Sequence, residues 1–204
     1  MPELVQAYFP EFSEIQLKQI DVAIATYKEW NDKINVISRK DIENIEERHF
    51  LHSLGIYKLA PFRPGTFSID VGTGGGFPGI PLAIANPDTE FLLVDSIGKK
   101  LKVAEAVVEA CGLKNVKTLH SRVEQVKLKS DYVTGRAVET IPEFYNHVRH
   151  LLDSKRSPAS EILYLKGGDF EHELECFPKQ VKIMDLHPIY SLAFFETKKV
   201  VRIL

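Results

Sequence analysis

A glycine-rich segment is the clearest indication of chemistry in this sequence. It runs from Asp70 to Gly79 as Asp-Val-Gly-Thr-Gly-Gly-Gly-Phe-Pro-Gly, directly after a short apolar run and before a helical pattern. Glycine adopts positive φ without strain and lets the main chain approach a ligand with no Cβ in the way. A strand, a glycine loop and a helix in this order predict a binding loop for a nucleotide-type cofactor at the carboxyl edge of a parallel sheet.

Two acidic residues lie where such a cofactor would need them. Asp95 ends the next apolar run, a position from which its carboxylate can accept hydrogen bonds from ribose hydroxyls. Asp70 directly precedes the loop, where its charge would oppose a pyrophosphate but would suit the cationic ammonium of a methionine group, directly or through water. Together with Gly72 and Gly74, these acids favour S-adenosylmethionine as the cofactor.

Two other interpretations of the loop stay open on these residues alone. Gly74, Gly76 and Gly79 match the G-x-G-x-x-G pattern of dinucleotide-binding folds. Phe77 and Pro78, however, crowd the helix start that a pyrophosphate would need open. The loop could also be a structural glycine turn that binds no ligand.

The elements around the loop predict an α/β fold. From Phe67 onward, short apolar runs alternate with helical stretches, which indicates βαβ units and a mostly parallel sheet. The tail has β-rich runs at 181–189 and 194–204 with no helix between them, so we expect an antiparallel pair there. The predicted strands before this pair are 67–71, 91–95, 116–120, 132–134 and 162–166, with a helix over 141–152.

The beginning of the chain has a helical pattern instead. A capping-box pattern at Ser13 opens a first helix, and Asp41 could cap a second helix over 42–59. A break rich in proline and glycine follows this stretch. We therefore expect a helical extension over 1–60 and an α/β domain over 61–204.

Composition and charge exclude several classes of protein. The 204 residues are 44% hydrophobic and 26% charged, which is typical of an ordinary globular chain rather than a disordered or fibrous one. The formal net charge of −2 argues against indiscriminate binding of polyanions, so any contact with nucleic acid must come from a local patch. No apolar run approaches the length of a membrane span, and the first residues lack the pattern of a signal peptide.

Cysteine and histidine usage indicates neither a disulfide framework nor a metal site. Cys111 and Cys176 lie outside any C-x-x-C motif, and we expect Cys111 to pack in the core and Cys176 to lie in a half-buried loop. His49 and His52 are three residues apart in a helical stretch, but no third and fourth ligand follows at a fitting spacing. We therefore expect a cytoplasmic protein with no metal and no membrane association.

Several segments resemble one known family. Residues 70–83 (DVGTGGGFPGIPLA) and 93–99 (LVDSIGK) are similar to the bacterial glucose-inhibited division protein B family. Further matches follow the order of the family's motifs: Trp30-Asn31 with Asn35, RHFLHSL from 48, SRVE from 121, GRA from 135 and LKG from 165. The chain departs from the family at His52, where relatives usually have aspartate, and at Val36-Ile37, which replaces Leu-Thr.

The resemblance implies a fold, an activity and a partner. The fold would be the Rossmann-like class I S-adenosylmethionine-dependent methyltransferase fold, a mostly parallel seven-stranded sheet with a C-terminal antiparallel strand and an N-terminal helical extension. The activity would be methyl transfer to N7 of a guanine in 16S ribosomal RNA, in the small ribosomal subunit or an assembly intermediate. The cofactor-binding positions carried over from the family are Gly72, Phe77, Val123, Glu124 and Arg136.

Contacts with RNA are expected from charged residues outside the glycine loop. Arg39 precedes the second predicted helix, His49 lies within it, and Lys166 ends a predicted strand. Phosphate contacts of this kind position a protein on RNA without reading its bases.

Methylation of guanine N7 places few demands on side chains. N7 carries a lone pair in the neutral base, so its in-line attack on the methyl group releases no proton from the nucleophile and needs no general base. We therefore expect no catalytic acid, base or covalent nucleophile, and expect the enzyme to act by aligning N7, methyl and sulfur. The alternatives that stay open are a small-molecule or protein methyltransferase on the same fold and a non-catalytic nucleotide-binding module.

Overall fold

The computed structural model describes residues 1–153, 158–175 and 177–204, and its centre is a seven-stranded sheet. The strands are β1 (Phe67–Val71), β2 (Glu90–Asp95), β3 (Val116–His120), β4 (Tyr132–Arg136), β5 (Glu161–Gly167), β6 (Val181–Asp185) and β7 (Lys198–Ile203). Their order across the sheet is β3-β2-β1-β4-β5-β7-β6. Neighbouring strands from β3 to β5 are parallel, whereas β7 is antiparallel to both β5 and β6. The predicted fold class, with its antiparallel pair at the end of the chain, is confirmed.

Helices precede the sheet and connect its strands. They are α1 (Glu3–Tyr8), α2 (Glu14–Asn31), α3 (Arg39–Ile42), α4 (His52–Leu59), α5 (Gly79–Ala85), α6 (Gly98–Ala110), α7 (Ile141–Val148) and α8 (His187–Tyr190). A π-helical turn, Glu46–Leu51, leads into α4. The described residues also form short 3₁₀ turns at Val123–Gln125, Arg149–Leu151, Glu171–Leu174 and Ala193–Phe195. Among the described residues, no helix has the length and apolar character needed to cross a membrane.

The central strands β1, β2 and β4 are buried along nearly their whole length because both faces of the sheet are covered. On one face, Ile69 and Tyr164 belong to the same buried cluster as Phe144 of α7. On the other face, Leu93 packs in a second cluster with α5, α6 and the first helices of the chain. The carboxyl ends of β1, β2 and β4 therefore open between two packed layers of helices.

The first 60 residues share a core with the sheet. Phe9 and Tyr27 are fully buried in one cluster with Ile80 of α5. The predicted capping box at the start of α2 is present, since the Ser13 hydroxyl accepts from the Gln16 amide and the Gln16 side chain accepts from the Ser13 amide. The helical extension is thus joined to the sheet by a continuous apolar interior.

The predicted second helix over 42–59 is wrong in its extent and in its cap. The structure divides this stretch into α3, the π-helical turn and α4. The cap of α3 is Ser38, whose hydroxyl accepts from the Asp41 amide at 3.1 Å. A serine three residues before an aspartate is itself a capping pattern, and Asp41 instead forms an ion pair with Arg48.

Of the two cysteines, only Cys111 lies among the residues that the structure describes. Cys111 is buried beside the end of α6, and its Sγ atom donates to the main-chain oxygen of Gln19 at 3.2 Å. This is the core packing expected from the sequence. Cys176 lies outside the described residues, and within the described part of the chain no group of three or more metal-ligating side chains comes together.

Candidate cofactor site

The glycine loop joins β1 to α5 at the carboxyl edge of the sheet. Gly72 has φ of +66° and Gly74 has φ of +58°, a region that favours glycine. The amide of Gly72 donates to the main-chain oxygen of Val94 at 2.9 Å, which ties the loop to β2. An ideal Cβ at Gly74 would meet no atom within 4 Å, whereas one at Gly72 would lie 3.0 Å from Val138. The loop therefore borders free space at Gly74 and closely approaches a neighbouring segment at Gly72.

Asp70 is buried beneath this loop. Its Oδ2 atom accepts from the Thr73 hydroxyl at 2.6 Å and from the Gly79 amide at 2.9 Å, and its Oδ1 atom accepts from the Thr134 hydroxyl at 2.9 Å. Burial raises the pKa of Asp70 to about 6, against the lowering effect of these hydrogen bonds. The carboxylate holds the loop between β1 and β4, and this geometry favours an indirect approach to a methionine ammonium, through water, over direct contact.

Asp95 links the glycine loop to the segment that follows β2. Its Oδ2 atom accepts from the Gly74 amide at 2.8 Å, and its Oδ1 atom accepts from the Ile97 amide at 2.8 Å. An ionised carboxylate has about four lone-pair positions, so each oxygen retains one for a further donor. Asp95 can hold the loop and still accept from ribose hydroxyls.

A cavity of about 340 Å³ opens beside Asp95. Four of the predicted cofactor residues line it: Gly72, Asp95, Val123 and Glu124. Val123 and Glu124 begin the 3₁₀ turn after β3, so parallel strands bring them to the edge where Asp95 lies. The volume is within the range of small-molecule pockets, about 300–1,000 Å³. The remaining predicted residues, Asp70, Gly74, Phe77 and Arg136, lie outside the lining of this cavity.

Phe77 packs inside the protein rather than on the cavity wall. Its ring stacks on Tyr27 with centroids 4.7 Å apart and meets Phe50 edge-on at 5.6 Å. The Tyr27 hydroxyl also donates to the main-chain oxygen of Gly75 at 2.8 Å. Phe77 thus fixes the loop to the helical extension, and a contact between its side chain and the cofactor stays a prediction.

Arg136 ends β4 and meets a histidine of the helical extension. Its Nη1 atom donates to Nδ1 of His49 at 3.0 Å, and its guanidinium lies 5.1 Å from the centroid of the Phe77 ring. Burial lowers the pKa of Arg136 to about 10, so the guanidinium is charged at neutral pH. Burial and the nearby positive charge of Arg136 lower the pKa of His49 to about 3, so the imidazole is neutral.

The three residues expected to contact RNA do not come together. Lys166 forms an ion pair with Glu173 at 2.9 Å, and both side chains are largely buried. Arg39 is exposed and lines a separate polar recess of about 530 Å³ together with Lys28. His49 is only 9% exposed and faces Arg136, which favours a role inside the protein.

The cavity also has walls that the sequence reasoning missed. Ile97 is 41% exposed and Val138 is 50% exposed, and both line the cavity. Val138 is held by Tyr164, whose hydroxyl accepts from the Val138 amide at 2.7 Å. Their positions in the sequence could have indicated this role. Ile97 is an apolar residue two positions after Asp95, and Val138 directly follows the GRA motif.

Comparison with known proteins identifies the family. The chain matches the family described as rRNA small subunit methyltransferase G over residues 16–200. It is 48% identical over 205 residues to "Ribosomal RNA small subunit methyltransferase G" of Flavobacterium johnsoniae, covering 100% of this chain and 97% of the relative. It is 50% identical over 201 residues to the protein of the same name from Bacteroides thetaiotaomicron, covering 98% of each.

Solved structures agree at the level of the fold. A SAM-dependent methyltransferase from Aquifex aeolicus superposes with a TM-score of 0.57 at 16% identity, covering 82% of this chain and 98% of that chain. Aeropyrum pernix fibrillarin in complex with natively bound S-adenosyl-L-methionine superposes with a TM-score of 0.54 at 11% identity, covering 77% of this chain and 75% of that chain. With the motifs and the match over residues 16–200, these findings confirm the resemblance: the chain belongs to the rRNA small subunit methyltransferase G family.

Proposed function

We propose that this chain is an enzyme that transfers the methyl group of S-adenosylmethionine to N7 of one guanine in 16S ribosomal RNA. The observation that carries the proposal is family membership over residues 16–200, in a chain whose cavity lies beside the glycine loop and Asp95. The curated relatives are named ribosomal RNA small subunit methyltransferases. The choice of guanine N7 follows from the resemblance of the motifs to the family.

The residues around the cavity suit the parts of S-adenosylmethionine. Asp95 would accept from the ribose hydroxyls, Val123 would pack on the adenine ring, and the amide of Glu124 would donate to it. Ile97 and Val138 add apolar walls. The free space at Gly74 lets the main chain approach the ligand, as a Cβ-bearing residue would not.

Two charged groups at the carboxyl edge of the sheet, Asp70 at β1 and Arg136 at β4, suit the methionine part. Asp70 and Arg136 lie close enough to influence each other electrostatically, and they would face the ammonium and the carboxylate of one amino-acid group. When bound, S-adenosylmethionine supplies an electrophilic methyl group on a positively charged sulfur. The residues of the chain bind the cofactor and align its methyl group with N7. Alignment is the main contribution that a displacement without proton transfer needs.

The proposal assigns separate roles to the two parts of the chain. Residues 61–204 would form the methyltransferase domain, and residues 1–60 the helical extension that contacts RNA through exposed residues such as Arg39. Because the net charge is −2, nonspecific attraction to phosphates is weak, and recognition would depend on the shape of the RNA. The small ribosomal subunit or a late assembly intermediate, in the cytoplasm, is the corresponding substrate.

The test is methyl transfer to the purified small subunit. Subunits from a strain without this modification are incubated with the protein and radiolabelled S-adenosylmethionine, and label in 16S RNA is counted. We expect label to accumulate with the wild-type protein and to fall sharply with the Asp95→Ala variant. Calorimetry with S-adenosylhomocysteine and NADH is the companion measurement. Binding of NADH in place of S-adenosylhomocysteine, or label in protein and none in RNA, would overturn the proposal.

A further inference from the structure

We propose that His49 positions Arg136 so that its guanidinium binds an anionic oxygen group at the carboxyl edge of β4. His49 belongs to the helical extension and Arg136 to the sheet, and the hydrogen bond between them joins residues 87 positions apart in the chain. The proposal rests on the proposed function for the identity of the anion, which is either the carboxylate of the methionine group or a phosphate of the RNA. His49 would act through Arg136 and would not touch the reacting atoms.

The geometry leaves His49 little freedom. Its ring lies 4.9 Å from the ring of Phe77, the same ring over which the Arg136 guanidinium lies at 5.1 Å. Its main-chain oxygen accepts from the buried Ser53 hydroxyl at 2.7 Å. Phe77 is itself stacked on Tyr27, so imidazole and guanidinium both contact a ring that is held in place. The Nη1 to Nδ1 distance of 3.0 Å is that of an ordinary hydrogen bond.

A neutral partner preserves the charge of Arg136. Among the residues that the structure describes, Arg136 forms no ion pair, and its side-chain hydrogen bond goes to His49. Because Arg136 donates to Nδ1, that atom carries no proton, and the neutral imidazole has its proton on Nε2. The lowered pKa of His49, about 3, is consistent with this state. A carboxylate in the place of His49 would orient the guanidinium equally well but would cancel its charge.

The position of Arg136 indicates where the anion would bind. Thr134 and Arg136 are two residues apart on β4, so their side chains point to the same face of the sheet. Thr134 donates to Asp70 beneath the glycine loop, which places Arg136 on the side of that loop. A guanidinium offers five donors in a planar fork, and one bond to His49 leaves a pair for the two oxygens of a carboxylate or phosphate.

His52 provides a matched control on the same helical stretch. It is buried like His49 and lies three residues along the chain, with its ring edge-on to Phe194 at 5.7 Å. Its Nε2 atom has no hydrogen-bond partner among the described residues, and Arg136 influences it only through space. Replacement of His52 therefore removes a buried imidazole without removing a bond to Arg136.

The test is a double-mutant cycle on the full chain. His49→Leu, Arg136→Met and the double variant are compared in affinity for S-adenosylhomocysteine, by calorimetry, and in KM for small ribosomal subunits. We expect His49→Leu either to lower the affinity for S-adenosylhomocysteine or to raise the KM for subunits by about tenfold, the scale of a hydrogen bond to a charged group. In the Arg136→Met background, the same substitution should have no further effect. The conservative His49→Asn variant, whose Oδ1 atom can replace Nδ1 as acceptor, should recover most of the loss. His52→Leu should show no such dependence on Arg136.

Each arm of the cycle has a defined meaning. Coupling in S-adenosylhomocysteine affinity identifies the anion as the methionine carboxylate, and coupling in KM alone identifies it as an RNA phosphate. An equal effect of His49→Leu with and without Arg136, for both ligands, would overturn the proposal, and so would failure of His49→Asn to recover binding. The calorimetric arm needs no RNA activity, so it remains informative if the proposed function fails. Circular dichroism of each variant confirms that it is folded.

Discussion

The Oδ2 atom of Asp95 lies 2.8 Å from the amide nitrogen of Gly74, so the acid at the end of β2 holds the loop that follows β1. The residue that the sequence assigns to the ribose is therefore also a structural link between two loops. Loss of this carboxylate should affect a ligand in two ways, through the missing contact and through a freed loop. The two effects can be separated with cofactor analogues.

The Asp95→Ala variant should bind S-adenosylhomocysteine more weakly by roughly 1–3 kcal/mol, the range for hydrogen bonds to a charged group. An analogue that lacks both ribose hydroxyls should lose less, because only the change in the loop affects it. Calorimetry of the two ligands with both proteins gives the comparison. Equal losses for the two ligands would mean that Asp95 holds the loop and does not bind the ribose.

Gly72→Val should weaken binding of S-adenosylhomocysteine by about tenfold or more, because a side chain at φ of +66° is strained and its Cβ would press on Val138 beside the cavity. Gly112→Val is the matched control, since Gly112 has φ of +64° but no atom within 4 Å of an ideal Cβ. Both variants should unfold at lower temperature, and only the first should lose affinity. Wild-type affinity in a folded Gly72→Val protein would remove Gly72 from the site.

Tyr27→Phe should lower the free energy of unfolding by about 1–2 kcal/mol, because the buried oxygen of Gly75 loses its donor while the stack on Phe77 remains. Tyr190→Phe is the control, since the buried Tyr190 hydroxyl makes no hydrogen bond among the described residues. Its removal should leave stability nearly unchanged or slightly raised. Urea unfolding of the three proteins provides the measurement, and equal losses in both variants would contradict the role given to Tyr27.

Acid should destabilise the protein through His49. The pKa of His49 is about 3 in the folded protein, against an ordinary value of about 6.5 in the unfolded chain. The unfolded state therefore binds the proton more readily, and the stability contribution is complete above pH 6.5 and is lost as the pH falls toward 3. Between pH 7 and pH 5 the wild type should lose about 2 kcal/mol more than His49→Asn. Parallel pH profiles of the two proteins would contradict the lowered pKa.

The sequence predicted the sheet better than it predicted the helical extension. Apolar runs bounded by turns mark buried parallel strands, so the order of β1 to β5 along the chain was accessible from local pattern alone. The second helix was not, because Ser38 competes with Asp41 as a cap and because the π-helical turn that follows buries its residues against α1, which is distant in the chain. Local periodicity contains no information about such packing.

The site divides in the same way. Gly72 and Asp95 were predicted from the pattern of strand, glycine loop and strand end, and Val123 and Glu124 from the family resemblance. All four line one cavity, because parallel strands bring their carboxyl ends to one edge of the sheet. The burial of Phe77 and the bond from Arg136 to His49 depend on how the extension docks on the sheet. Lys166 could not be recognised as already paired, since Glu173 reaches it from a separate 3₁₀ turn. The spacing of residues within one segment does not predict contacts between segments that are distant in the chain.

The most direct test of the account is the position of the methyl group in the RNA. Small subunits that lack the modification are incubated with the protein and S-adenosylmethionine, and the RNA is then cleaved with borohydride and aniline, which cut at N7-methylguanine. The account predicts one cleavage in 16S RNA from intact subunits or a late assembly intermediate, and little from an isolated short hairpin. Cleavage at many guanines, no cleavage at all, or equal cleavage of the free hairpin would contradict it.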